Sequence, residues 1–482
     1  MTEFIKTDVL SRRAVLRMAS AAGATLMATS LVACGSTAAT ATVTTVTQTV
    51  TKASVSTATV AKTVVKASTQ TVTATGKVTL LRISELDNTT QLDVSRRIVK
   101  SFMEDHPNIT VKVEPVAGDY ATKIYVQAAA NTLPDVIWTA DVYTQPFATK
   151  HIAKNMQPYA DRDKSFNLDD IYPQMLSLGR TALRPGGLFM LPRALDILLL
   201  FYNKTMFQDA GVALPTPTWT INDLIQAAHK LTKPSSNPKT AQYGINLSWT
   251  WWAEYVPWMR GYGGDIVSTD GKKFIGDQSN AVAGIQAMAD LILKEQVAPR
   301  LGMSFGGDPF VTGHVAMTHT IRDSVPGYRR DIGSRFEWDV QIWPAFPKKH
   351  VTGMGTQGYT MTTDTKVPDQ AWELAKYYVS VAGQRILAST YSTVPVLISM
   401  SKYPSWYKLP PPPNNNAAFT ESAKFGTLPP VFPPGCGSVY TGQIDQVMTN
   451  TLDKILRGSV DAQTGLTQAA SQINACLVQH GA

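Results

Sequence analysis

Trp249, Trp251, Trp252 and Trp258 fall within one ten-residue stretch, with Tyr255 and Tyr262 among and just beyond them. Rings at this density serve as hydrophobic core, as a partner interface, or as flat platforms on which a ligand stacks. Signals for bond-breaking chemistry are weaker. Ser399 and Lys402 fit S-x-x-K, but the companion motifs of that enzyme class are missing. His314 and His319 have no H-E-x-x-H context, so no metal site is expected. Asp169 and Asp170 read as a helix cap. Gly353, Gly355 and Gly358 have the G-x-G-x-x-G spacing, yet residues 359–362 read as a strand. A dinucleotide site needs a helix there, so that phosphate meets its N-terminus. No catalytic residue and no cofactor is expected.

These rings need elements to hold them. Some 400 residues follow position 76, too many for a single core, and two or more domains are expected. The opening reads strand, helix, strand. VTLLRISE is apolar and β-branched, LDVSRRIVKSFMEDHP repeats apolar residues at helical spacing and stops at a proline, and ITVKVEPV alternates. YATKIYVQAAANT reads as a further helix and LPDVIWTADVY as a buried strand. This alternation predicts an α/β fold with helices on the faces of a sheet. Ligands of such sheets sit beyond the carboxyl ends of the strands, which points to Trp138, Asp141 and Tyr143.

The N-terminus reads as an address. Residues 1–33 carry an arginine pair, Arg12 and Arg13, then a short apolar run that ends in small residues, the pattern of an export signal. The pair resembles a twin-arginine signal, although Val15 stands where that pattern prefers Phe, so the general secretion route stays open. Leu31-Val32-Ala33-Cys34 resembles the lipobox of bacterial lipoproteins, which implies cleavage before Cys34 and lipid on it. Residues 34–76 are nearly all Thr, Val, Ala and Ser, with TQTVT twice and no acidic or aromatic residue. They read as a disordered tether, spanning about 35 Å as a coil and open to glycosylation. The formal charge of +8 falls to +3 once +2 from the signal and three tether lysines are removed. That is poor footing for nucleic-acid binding, and none is expected. Cys436 and Cys476 are left either as a disulfide or as two buried thiols.

Residues FMEDHPNI (102–109), LPDVI (133–137), the ordered series within 188–232 that includes Tyr202-Asn203-Lys204 and Trp219, Tyr243-Gly244, 310–317 and 371–377 resemble family 1 extracellular solute-binding proteins. These are ligand receptors of ABC importers, including the maltose-binding type. The resemblance covers essentially all of 77–482 and rests on the order of the motifs. It implies a periplasmic-binding-protein-like (type II) fold, two α/β lobes joined by a hinge with a ligand cleft between them. Lobe 1 is expected over 77–193 plus about 354–398, and lobe 2 over 194–353 plus about 399–482. Hinge crossings are expected near Leu191-Pro192-Arg193, Gly358-Tyr359-Thr360-Met361 and Val394-Pro395-Val396. It further implies a monomer at the outer face of the cytoplasmic membrane, held only through its lipid, that delivers solute to permease subunits.

Receptors for sugars in this family place aromatics after the Tyr-Gly strand, so Trp249, Trp251 and Trp252 become platform candidates, with core as the alternative and Trp258 read as core. A ring covering the CH-rich face of a sugar gains roughly 2 kcal/mol. Hydroxyl partners are expected from Asp141, Asp196, Glu254, Arg322 and Asp323, with Thr356 or Gln357 beside the glycine-rich turn; Arg193 reads as a surface charge or hinge salt bridge. A di- or oligosaccharide is the expected ligand. The competing readings are a non-sugar solute (glycerol phosphate, polyamine, peptide) and an exported glycan-active enzyme.

Overall fold

The architecture comes from a computed structural model. It describes residues 47–53, 67–73 and 78–480, apart from 182–183, 236, 238, 404–405, 407–408, 433–435 and 437–442. The expected signal and Cys34 lie outside the described residues. Part of the tether does not: strand Thr47–Ala53 runs antiparallel to Ala67–Thr73, with Thr49 opposite Thr71, so the two TQTVT copies face each other. Thr and Val favour extended backbone, which accounts for strands where disorder was expected.

The first sheet starts as the sequence suggests. Strand Thr79–Leu86 turns Leu81 and Ile83 inward and pairs in parallel with Ile109–Val116 on one side and Val136–Ala140 on the other. Helix Thr89–Asp105 joins the first pair. The Asn88 side chain caps it by accepting from the Thr90 and Gln91 amides, and its inner face buries Leu92, Val94, Ile98, Val99 and Phe102. Such a cap contributes about 1 kcal/mol. The fifth strand region departs from expectation. Strand Val136–Ala140 stops early and helix Asp141–Thr149 follows at once, so Asp141 sits in the first turn, where the helix dipole favours a carboxylate.

Antiparallel strand Gln357–Met361 and the short Leu191–Pro192 complete this sheet, in the order 109–116, 79–86, 136–140, 357–361, 191–192. A second sheet has the order Trp338–Gln341, Leu199–Asn203, Val315–Thr320, Tyr243–Asn246. Its second strand is buried on both faces. Leu199 and Phe201 join the core shared with the first sheet, whereas Leu200 and Tyr202 join the core of the second lobe. A third, small sheet bridges the two: Thr352–Gly355 pairs with Asp196–Ile197 and with Gly426–Thr427.

The chain therefore crosses between lobes at 193–198 and 352–356. The segment 358–361, expected as a crossing, is instead held in the first sheet by five paired residues, from Gln357 opposite Ala140 to Met361 opposite Val136. A third pass is marked by the Leu195 amide donating to the Val394 carbonyl and by the Ala194–Pro395 bridge. The stretch after 399, expected wholly in lobe 2, divides. Met400, Trp406, Phe419 and Ala423 pack in the first core, and helices Gln443–Leu456 and Ala462–Gln479 pack in the second. Cys436 and Cys476 are joined by a disulfide that fastens the incoming chain to the last helix. Among the described residues, no helix is long and apolar enough to cross a membrane.

Candidate functional site

Two glycines on one strand build the floor between the lobes. On Thr352–Gly355, residues 353 and 355 face the same way. A Cβ on Gly353 would come within 2.0 Å of the Ala253 carbonyl oxygen, so its absence lets helix Trp252–Gly261 press its first turn onto the strand. Trp251, just ahead of that helix, is thereby carried over Gly355. A Cβ there would lie 3.1 Å from Trp251 Cζ2 and 2.9 Å from Asp141 Oδ2, so the bare glycine lets an indole from one lobe and a carboxylate from the other converge. Asp196 lies in register with Gly355 on the neighbouring strand.

Asp141 is set by its own backbone. Its amide donates to the Thr356 carbonyl (3.1 Å), and its Oδ1 accepts from the Val142 amide (2.9 Å). Its Oδ2 is buried without a partner. Gln357, the next residue along, gathers the first lobe's polar groups. Its Oε1 accepts from Gln91 Nε2 (3.2 Å), Trp138 Nε1 (3.3 Å) and Arg193 Nη2 (3.0 Å), and its side chain also bonds Asp196. Arg193 is buried, not a surface charge. Its Nη1 donates to the Tyr359 hydroxyl (3.2 Å), which donates to Glu85 Oε1 inside the first lobe.

Burial, and after it the charge of Asp196, pushes Asp141 up to about 7 against a hydrogen bond from Val142. Asp196 is likewise pushed up to about 7 by burial and then by the charge of Asp323, partly opposed by Arg193. Asp323, exposed to solvent on one side, is raised by partial desolvation. The arrangement offers carboxylate and amide acceptors beside one half-buried indole, on a floor shared by both lobes.

The remaining expected residues divide. Trp138 is buried behind Gln357 with its ring edge-on to Tyr120, supporting the site without facing it. Tyr143 stacks on Phe147 and lines, with Asp141, a cavity of about 590 Å³ that runs from the acid cluster along the first lobe. Asp196, Trp251 and Gln357 lie outside its lining. Residues 428–432 close its far side: Arg260 of the second lobe holds Thr427 and Leu428, and Gln145 Nε2 of the first lobe donates to the Phe432 carbonyl (2.7 Å). Neither this strap nor Gln145 was found from the sequence, although the Pro429-Pro430 pair marks a stiff segment.

Five expected contacts have other placements or partners. Trp252 is fully buried, because it points into the second core from the first turn of its helix. Trp249 lies in a separate depression of the second lobe beside Met303 and Phe305. Glu254, in the first turn of that helix, accepts from the Trp251 amide (3.0 Å) and so fixes the backbone that carries the indole. The buried Thr356 hydroxyl donates to the Ala194 carbonyl and ties two crossings together. Arg322 is the fifth: its guanidinium is buried between Trp406 (4.4 Å) and Phe419 (4.8 Å), donates to Asn416, and is lowered to about 9 by burial and then by Arg329.

Residues 87–385 match the family described as bacterial extracellular solute-binding protein. A curated relative, the mannitol-binding protein of Pseudomonas aeruginosa, is 28% identical over 181 residues, 35% of this chain and 36% of that protein. The match thus spans about a third of that relative's length. Among solved structures, an ABC substrate-binding protein from Listeria monocytogenes in complex with cycloalternan has a TM-score of 0.70 at 22% identity, covering 83% of this chain and 99% of that one. The sugar-binding protein MalE of Xanthomonas citri has a TM-score of 0.71 at 18% identity, covering 83% and 98%. At these identities the likeness establishes the fold.

Proposed function

Because this chain belongs to the bacterial extracellular solute-binding proteins, a family of receptors and not of enzymes, we propose that it captures a di- or oligosaccharide in the cleft floored by Gly355 and hands it to the permease of an ABC importer. The observation that carries this reading is the meeting of Trp251, Asp141 and Asp196 over one side-chain-free residue shared by the lobes. The indole takes the CH-rich face of a sugar ring. The two carboxylates and the Gln357 amide take its hydroxyls through charge-assisted and neutral hydrogen bonds. One platform gives roughly 2 kcal/mol, and a few such bonds bring the total to micromolar affinity, about −8 kcal/mol, after association costs. Closure of the lobes around the solute would present a docking surface to the permease.

In this reading the receptor is exported, lipidated at Cys34, and held at the outer face of the membrane by residues 34–76. A lipidated Cys34 predicts that Cys34→Ala moves the protein from the membrane to the soluble fraction; unchanged fractionation would remove the anchor. The binding claim is tested by titrating mono-, di- and oligosaccharides while following tryptophan fluorescence and thermal shift. A saturable response without product formation is expected. Silence across the panel would remove the carbohydrate claim.

A further inference from the structure

The charge around Gly355 is out of balance. Asp141 and Asp196 flank this residue, and Asp323 lies near enough to act on Asp196. Asp119, on the wall of the cavity that opens beside Asp141, is spent on a helix cap, accepting from the Thr122 amide and hydroxyl. The cations nearby are directed away from the two carboxylates or share their charge with other groups. Arg193 gives its Nη groups to Tyr359 and Gln357 and shares its charge with the buried Glu85. Arg180, on the cavity wall, donates to the Gly187 carbonyl and to Gln157 Oε1. Arg322 is turned into the layer between Trp406 and Phe419, where Nη1 donates to Asn416 while Nε and Nη2 have no partner, and its charge does not act on Asp141 or Asp196. Asp141 Oδ2, buried and without a partner, is the atom this imbalance leaves most exposed in energy. A hydroxyl would fill its lone pairs and leave the charge; an ammonium would do both. The indole of Trp251 beside that oxygen attracts a cation as well as a CH face.

We propose that the solute bears a protonated amine among its hydroxyls, as an amino sugar does, with the ammonium held by Asp141 and Asp196 against Trp251. The inference rests on the carbohydrate reading and narrows it to a substrate class. The matched pairs glucosamine and glucose, galactosamine and galactose, and glucosamine disaccharide and cellobiose, together with spermidine, are titrated calorimetrically into the full chain. In at least one pair the amine is expected to bind about tenfold more tightly than its neutral partner. That preference is expected to collapse in both Asp141→Asn and Asp196→Asn while their melting temperatures stay at or above wild type. Two variants are used so that a folding defect in one does not decide the result. Absence of any pair in which the amine is preferred overturns the inference. If neutral sugars then bind, the carbohydrate reading survives without it; if spermidine alone binds, both fall.

Discussion

Substituting alanine at Gly355 and at Gly353, two positions apart on one strand, separates function from stability. A Cβ on Gly355 meets only side-chain atoms, Asp141 Oδ2 at 2.9 Å and Trp251 Cζ2 at 3.1 Å. Carbon–oxygen contacts normally lie near 3.3–3.6 Å, so the carboxylate must swing away by several tenths of an ångström and the indole must tilt. Both are flexible ends, and the fold absorbs the change cheaply. The site does not, because the two groups proposed to grip the solute are moved apart. Overpacking of this kind costs about 1–3 kcal/mol, here charged to binding, which is a loss of roughly 5- to 150-fold in affinity. A Cβ on Gly353 meets backbone instead, the Ala253 carbonyl oxygen at 2.0 Å, and the helix that delivers Trp251 must lift off. Gly353→Ala is therefore expected to lower the melting temperature, and Gly355→Ala to lower affinity with the melting temperature nearly intact. Calorimetric titration with the best saccharide and a thermal melt measure both. Affinity within twofold of wild type for Gly355→Ala, or equal destabilisation by the two variants, would refute the reasoning.

Three further expectations follow from the same geometry. Trp251→Ala should cost roughly 2 kcal/mol of binding, about thirtyfold, whereas Trp252→Ala should cost about 3–5 kcal/mol of stability, because that ring is core; titration and chemical unfolding of both variants would expose an exchange of these effects. Asp141 and Asp196 are raised to about 7 when folded, so the native state holds protons that the unfolded chain has released. Relative to the Asp141→Asn, Asp196→Asn double variant, the wild type should lose stability as pH rises from about 4 to about 7 and level off above; parallel melting curves of the two proteins across that window would contradict this. The Cys436–Cys476 bond closes a 40-residue separation, and its reduction should cost about 4 kcal/mol in the chain-entropy account. An unchanged urea midpoint under reductant would contradict that.

Patterning in the sequence was sufficient for the alternating elements of the first sheet, because each depends on local periodicity and caps, as at Asn88 and Leu92–Phe102. Asp141 stood out in the sequence as the end of an apolar strand and Asp196 as a carboxylate just past the Leu191-Pro192 pair, and both lie beside Gly355. Spacing could not tell Trp251 from Trp252. One peptide step at a helix start turns the first toward Gly355 and the second into the core, and only the packing of the helix on Gly353 decides which. Glu254 and Thr356 look like ligand groups by type, yet the backbone claims both, one at a helix start and one as a tie between crossings. Gln145 and residues 428–432 were invisible because they meet across almost three hundred positions of chain, and their contact carries no local signal.

The most direct measurement is a crystal structure of the chain with the saccharide that binds best. The account predicts a sugar ring lying against the Trp251 indole, with hydroxyl or amine groups within hydrogen-bond distance of Asp141, Asp196 and Gln357. Saccharide bound instead in the depression beside Trp249 and Phe305, with the Gly355 floor untouched, would contradict it.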